Sequence, residues 1–320
     1  MSILTSWLAS PLPDAAVEIA PEGVSAAVVV PRGGRFAVQA YATVPLPKGA
    51  VTASLASPNI LDRRLVVETL RDVLGRLGTK PKRIALVIPD VAVKVSLLRF
   101  EQVPARRDDL DQLVRWQIRK SAPFAIEDAS VTYTAGAQHA SGGEFLVELA
   151  RRDIIRDYET VCGNAGAYAG LVDIATVSTI NLFLGTGRQP AGDWLLVHMR
   201  PGYTSIAILR GDRLIFFRNR VEGDGESLPD LVHQSAMYYQ DRLEGTGFAR
   251  VLLSGRGEGD TDRADVRQSL QERLGVDVHE VNATDIVPMT ERISASPDVG
   301  DSLAPLVGIL LRTQREVVTA

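Results

Sequence analysis

The chain has one cysteine, Cys162, in 320 residues. A lone thiol excludes an intrachain disulfide framework, a CxxC redox pair and a cysteine-ligated zinc finger, and it fits a reducing compartment. The four histidines, His139, His198, His233 and His279, are scattered without ligand spacing, so no metal site is expected. Positive charge is not in excess: 35 Lys and Arg against 39 Asp and Glu leave a net charge of −4. That withholds the basic face of a nucleic-acid binder, and the Arg pairs at 63–64, 106–107 and 151–152 are too dispersed to supply one. No apolar run approaches the ~20 residues of a membrane-spanning helix. The N-terminus lacks the basic start and long apolar centre of a signal peptide. No GxSxG nucleophile elbow occurs, and GDGE at 223–226 lacks the ligand count of an EF-hand loop, so it is expected to be a turn.

What is present is a well-stocked core. Apolar residues make up 45% of the chain, enough for one large or two modest domains. A leader, 1–13, precedes the first strand; Ile3, Leu4, Trp7 and Leu8 in it would share one helical face, either to dock on a surface or to fold back. Strand-like alternation from Val17 to Val44 is broken by turns at APEG and PRGGR. Asp62 can cap a helix with Val66, Leu70, Val73 and Leu74 on one face, and RIALVIP reads as a strand buried on both sides. From about residue 90 to 168 the texture changes to a small α+β block, with helices opened by Asp108 and Asp153; Cys162 lies on the apolar face of the second and is expected in the core. The chain then returns to a buried strand and helix over 169–190. A second lobe is expected over 191–302, and a C-terminal helix over 303–320 that returns toward the first lobe.

The two halves repeat each other. Glu18 matches His198, Gly23 matches Gly202 and Arg35 matches Arg213, at nearly constant spacing. Gly-bearing turns between strands can cradle phosphates, because their N–H groups approach a ligand closely.

Two meander lobes, a late strand with a glycine turn and a terminal helix resemble the actin-like superfamily. The stretch IPDVAVKVSLLRFEQVP, followed by DLDQLVRWQIRKSAPFAIEDASVTY, is similar to the PilM family of type IV pilus assembly proteins, relatives of FtsA. Trp116, Gln117, Pro123, Phe124 and Ile126 fill the places of its aromatic helix and Pro-Phe turn, and RLIFFRNRVEGDGESLPDLVHQSAMYYQ resembles the family's stretch after its second phosphate loop. The resemblance implies an α/β, actin-like two-lobed fold with a small inserted subdomain. It also implies a cytoplasmic place at the inner face of the inner membrane. The implied partners are the N-terminal cytoplasmic tail of a PilN-like membrane protein, captured in an apolar groove, and other pilus assembly proteins. Trp116 and Phe124 are candidates for that groove or for the subdomain core. A close alternative is the cytoplasmic domain of a type II secretion protein; a more distant one is an active ATPase or small-molecule kinase.

The family's nucleotide site would use Glu18, Gly23 and Ser25 in the first turn, Gly202, Thr204 and Ser205 in the second, and Gly255, Gly257 and Gly259 in an adenosine turn. ATP, with or without Mg²⁺, is the cofactor this implies. Two turns depart from the pattern. Pro21 removes a backbone donor and Glu22 brings negative charge; His198 stands for an Asp, Arg200 for a Gly and Tyr203 for a small residue. Arg200 could bind phosphate, or it could fill the site through a salt bridge to Glu18 or Glu22. Efficient hydrolysis is not expected, and no catalytic residue is assigned.

Overall fold

The computed structural model describes residues 12–138, 142–221, 227–257, 263–290 and 297–319. Most of the leader, His139 and the GDGE stretch lie outside the described residues. Three antiparallel strands, β1 (Ala15–Ala20), β2 (Gly23–Arg32) and β3 (Arg35–Pro45), lead to helix α1 (Arg63–Arg76) and then to β4 (Arg83–Ile88), parallel to β1. A 3-10 turn (Asp90–Ala92) releases the chain into a small antiparallel sheet, β5 (Val93–Phe100), β6 (Ala129–Gln138) and β7 (Gly143–Arg151), with helix α2 (Arg107–Arg119) between its first two strands in sequence. Helix α3 (Arg152–Asn164), strand β8 (Tyr168–Ile174) and helix α4 (Ala175–Thr186) complete the first lobe. The second lobe runs through β9 (Asp193–Arg200), β10 (Tyr203–Arg210), β11 (Arg213–Val221), α5 (Leu228–Arg242), β12 (Arg250–Gly255), α6 (Arg263–Leu274) and β13 (Val278–Glu280). A short helix, α7 (Ala283–Ile286), and a long one, α8 (Pro297–Thr319), come last.

The two large sheets have one topology. Their strand orders are β3-β2-β1-β4-β8 and β11-β10-β9-β12-β13. Even the irregularities match: the outer hairpin bulges between Val28 and Val29 in one sheet and between Ile208 and Leu209 in the other. A shared bulge position bends and twists both outer hairpins alike. This pairing of like lobes is the actin-like architecture.

Strand alternation sorts the side chains into layers. Ile84, Leu86 and Ile88 of β4 pack with α1 and α3 on the outside of the first lobe, while Ala85 and Val87 face inward toward α4 and α8. In the second lobe Leu195 and Val197 face α5 and α6, and Trp194 and Leu196 face the same central layer. Helices α4 and α8 therefore lie between the sheets. They cross closely: a Cβ on Gly308 would meet the Ser178 carbonyl oxygen at 1.8 Å, so only glycine fits there.

Local signals account for the helix starts. Asp62 caps α1 by accepting the Leu65 amide at 3.0 Å. Asp108 and Asp153, expected as caps, sit instead in the first turns of α2 and α3, where a carboxylate complements the helix dipole. The small sheet and α2 have their own core, centred on Val114, Ile118, Phe145, Val147 and Leu149. Helix α3, grouped with this block on sequence texture, packs in the first lobe: Ile154, Tyr158, Val161 and Cys162 join its outer core. Burial raises the Cys162 thiol pKa to about 12, in keeping with an unreactive core residue.

Candidate functional site

The β1–β2 and β9–β10 turns meet across the cleft between the lobes. In β1, Glu18 shares a strand face with inward-facing Ala16; in β9, His198 and Arg200 share one with Trp194 and Leu196. Arg200 thus reaches the opposite lobe. It donates from Nη1 to Glu22 Oε1 at 2.9 Å and from Nη2 to Glu18 Oε1. Glu18 is buried and Arg200 nearly so. Burial pushes the Glu22 carboxyl above the usual range. Of the two roles open to Arg200, the geometry has it bridging both acids.

A second knot lies beside this one. Asp90, fully buried where β4 ends, accepts from the Thr176 amide at 2.9 Å and the Thr176 hydroxyl, both at the start of α4. Its carboxylate also accepts from Ser205 Oγ of the second lobe at 2.6 Å. Its amide donates to the Tyr203 hydroxyl at 3.3 Å, and its carbonyl accepts from Asn219 Nδ2 at 3.2 Å. One residue thereby ties the start of α4 to two strands of the opposite lobe, with its charge at a helix N-terminus where anions are stabilised. His198 is 1% exposed. Burial holds its imidazole below the ordinary pKa, against the pull of Asp90 and Asp301. Among the described residues neither ring nitrogen has a hydrogen-bond partner.

The third turn is filled in the same way. Asp301 of α8 accepts from the Gly255 amide at 2.8 Å and from Ser254 Oγ at 3.1 Å, and Arg263 of α6 lies 3.4 Å from its carboxylate. Gly255 has φ +81, and a Cβ there would sit 1.8 Å from the Met199 carbonyl oxygen, so strand packing alone demands glycine. Gly257 has open space around it, and Gly259 lies outside the described residues.

The sequence-predicted residues therefore separate. Glu18 and Ser205 enter the interlobe knots. Ser25 instead bonds Thr43 across the β2–β3 ladder at 2.9 Å. Thr204 alternates with Tyr203 and Ser205 and so lies on the other face of its strand. The Gly23–Gly202 match is corrected by one residue. Pairing aligns Ala20–Gly23 with Arg200–Tyr203, so Pro21 corresponds to Pro201, Glu22 to Gly202 and Gly23 to Tyr203. Gly202, at φ +87 after Pro201, is the turn glycine; Gly23 opens β2, where a Cβ would come within 2.8 Å of the Val44 carbonyl oxygen. Sequence reasoning missed Asp90, Thr176, Asn219, Arg263 and Asp301. The available signal was an acid just after a buried strand, Asp90, and an acid just before the apolar run of α8, Asp301.

In the small subdomain Trp116 is 61% exposed on α2, with Lys120 Nζ 5.7 Å from its ring centroid. Phe124 packs partly buried against the subdomain core. At the base of the small sheet, Glu148 of β7 lies near Asp173 at the end of β8. Arg312 of α8 donates to Asp173 at 2.6 Å. Burial and the neighbouring Asp173 raise the Glu148 pKa to about 7, and burial raises that of Asp173 as well.

Among the described residues no helix is long and apolar enough to cross a membrane. The profile of the family described as type IV pilus assembly protein PilM matches residues 16–242. Among solved structures, the PilM–PilN type IV pilus biogenesis complex is similar with a TM-score of 0.80 at 17% identity, covering 95% of this chain and 99% of that one. A Bacteroides thetaiotaomicron protein of actin-like ATPase fold and unknown function is similar at 0.52 and 10% identity, covering 98% and 99%. The cytoplasmic domain of EpsL, an inner membrane component of the Vibrio cholerae type II secretion system, reaches only 0.48 at 10% identity, covering 96% and 94%, and does not bear on the assignment. At these identities structural likeness shows the fold, while the profile spans more than two thirds of the sequence: the chain belongs to the family of the type IV pilus assembly protein PilM.

Proposed function

We propose that this protein is a cytoplasmic scaffold of a type IV pilus or related secretion machine, holding the N-terminal tail of a PilN-like inner-membrane protein without efficient ATP hydrolysis. The family supports the pilus role, and the solved PilM–PilN complex supports a PilN-type partner. Among the described residues of the subdomain, Trp116 is the most exposed large apolar side chain open to such a tail. Aromatic residues of this kind dominate binding energy when a partner covers them.

The observation that carries the non-catalytic reading is the state of the three turns. The groups that would receive a nucleotide are taken by the chain's own side chains. Arg200 neutralises Glu18 and Glu22 where the phosphate turns meet. Asp90 occupies the N-terminus of α4 and the Ser205 hydroxyl. Asp301 takes the Gly255 amide and Ser254. Pro21 and Pro201 each remove a donor N–H from a turn. ATP and Mg²⁺ do not fit this arrangement: binding would displace buried, charge-assisted contacts and bring phosphate against two carboxylates. No chemical step through a nucleotide is derived.

Two measurements test the proposal. A synthetic N-terminal tail of the PilN-like partner is expected to retain the protein in a pull-down, and Trp116→Ala is expected to weaken retention while the fold melts unchanged. Thermal unfolding with millimolar ATP and Mg²⁺ is expected to show no shift, since only a ligand bound to the native state stabilises it by mass action. A clear shift, or a tail that is not retained, contradicts the proposal.

A further inference from the structure

The outer strand of a sheet presents unpaired N–H and C=O groups, and folded proteins blunt such edges with charge, proline, a bulge, shortness or a cover. Most edges here are blunted. β3 starts at Arg35, ends at Pro45 and is covered where Val38 exchanges backbone hydrogen bonds with Pro288 and Thr290. The β4–β8 ladder is broken by a bulge at Ile84 and Ala85, and β8 carries Asp173. β11 carries Arg213, Arg218 and Arg220, and β13 is only three residues long. In the small sheet, of order β5-β7-β6, the β5 edge carries Lys94 and Arg99.

The β6 edge is the exception. Among the described residues β6 pairs with β7 alone. It has no charged residue and no proline from Ala129 to Gln138. Its ladder with β7 is unbroken over Ala129–Ala135, and the first irregularity comes after Ala135. That stretch is about 23 Å long, and Thr132, Thr134 and Ala135 in it are exposed. Neutrality matters for one kind of partner above all. When a strand pairs antiparallel with its own copy, the two-fold axis stands normal to the sheet and like faces meet. A charge at the axis then meets itself, which is unfavourable. Only an uncharged strand escapes this in every row.

We propose that the β6 edge pairs antiparallel with the β6 edge of a second copy of this chain, centred on Thr132, so that two small sheets join into one. This register uses the whole unbroken stretch. Ala129 meets Ala135 of the second copy, Ser130 meets Thr134, Val131 meets Tyr133, and Thr132 meets its own copy. Threonine pairs and aromatic–β-branched pairs are favourable cross-strand neighbours. On the side of the subdomain core the rows continue into β7: Leu149 flanks Val131 and Val147 flanks Tyr133, so that row is apolar across all four strands. A foreign strand would be selected by charge or by side-chain pockets; β6 offers no charge to select one, and self-pairing needs none. The pairing also closes. It uses up both β6 edges and leaves the charged β5 edges outermost, so assembly stops at two copies.

The test is sedimentation velocity of the full chain across a range of concentrations. A strand pair buries less than a standard interface, so a reversible monomer–dimer exchange at micromolar or higher concentration is expected. Ser130→Lys with Thr134→Lys sets like charges opposite each other on both sides of the axis and is expected to weaken the dimer about tenfold. Ser130→Glu with Thr134→Lys sets opposite charges there and is expected to hold the dimer at least as well as the wild type. Both double variants should melt like the wild type when dilute. Thr132→Cys is expected to form an interchain disulfide under mild oxidation, and Thr134→Cys, displaced along the strand from its own copy, is not. A monomer at every concentration, growth beyond a dimer, or a dimer indifferent to both charge patterns would each overturn the proposal; cross-linking at Thr134 in place of Thr132 would overturn the register. The like-charged variant should still be retained by the PilN-like tail. If it is not, the edge belongs to the tail and the proposal fails, whereas a tail that the wild type does not retain contradicts the scaffold reading alone.

Discussion

The two lobes share a sheet topology, a bulge position and a proline at the same place in each inner hairpin, yet at matched positions they carry opposite chemistry. The first lobe has Ala20, Glu18 and Glu22 where the second has Arg200, His198 and Gly202. The second has Tyr203, whose hydroxyl meets Asp90, where the first has Gly23, kept small by β3. Two copies that each bound half of a phosphate chain would be expected to stay alike. These have become complementary: acids on one side, a guanidinium on the other. Such a difference teaches that the cleft is now an interface within the protein, held by side chains.

The most direct way to break that comparison is Arg200→Ala. It leaves Glu18 and Glu22 in the cleft without a counter-charge, and stripping one partner from a buried pair costs about 3 kcal/mol or more. Denaturant unfolding should show that loss. Adding Glu18→Gln should recover part of it, because coupled neighbours are not additive. If Arg200→Ala instead unfolded like the wild type and gained ATP-dependent stabilisation, the arginine would be a plug in a working nucleotide site.

A smaller effect separates the glycines of the third turn. Gly255→Ala forces a Cβ onto the Met199 carbonyl at positive φ and should cost about 2 kcal/mol or more. Gly257→Ala meets nothing within 4 Å and should stay within about 0.5 kcal/mol of the wild type. Unfolding curves without ligand check both. An ATP-induced shift that Gly257→Ala abolished would restore this turn to the nucleotide site.

The scaffold was largely legible in the sequence because its signals are local. The continuous apolar run of β4, the helical spacing from Val66 to Leu74 and the Asp62 cap each depend on neighbours within a few residues. The repeat was visible as well, but glycine was a poor ruler for it. Gly202 is there for its backbone angle and Gly23 for want of space beside Val44, so aligning them slipped the register by one; Pro21 and Pro201 mark the true correspondence. The site was less legible. Glu18, Glu22 and Arg200 were named from the departure of two turns from a family pattern. Asp90 meets Thr176 and Ser205 across 86 and 115 residues, a separation at which no periodicity or spacing speaks.

A final contrast between the lobes lies beyond their central parallel strands. After β4 the first lobe inserts its subdomain, and β7 brings Glu148 over Asp173; near the corresponding end of β13, Glu280 stays exposed and is paired with Arg263 and Arg267. The insertion should therefore leave a pH signature that the second lobe lacks. Folded, Glu148 keeps its proton to about pH 7, against an ordinary value of 4.5. Between those values the unfolded chain binds fewer protons than the folded one, so stability contributed at this position falls as pH rises and levels off above 7. Glu148→Gln removes the titration. The variant should match the wild type near pH 4 and exceed it by about 3 kcal/mol above pH 7, as read from denaturant midpoints across the range. Parallel wild-type and variant curves would place Glu148 in contact with water in the folded protein and leave the two lobes alike in this respect.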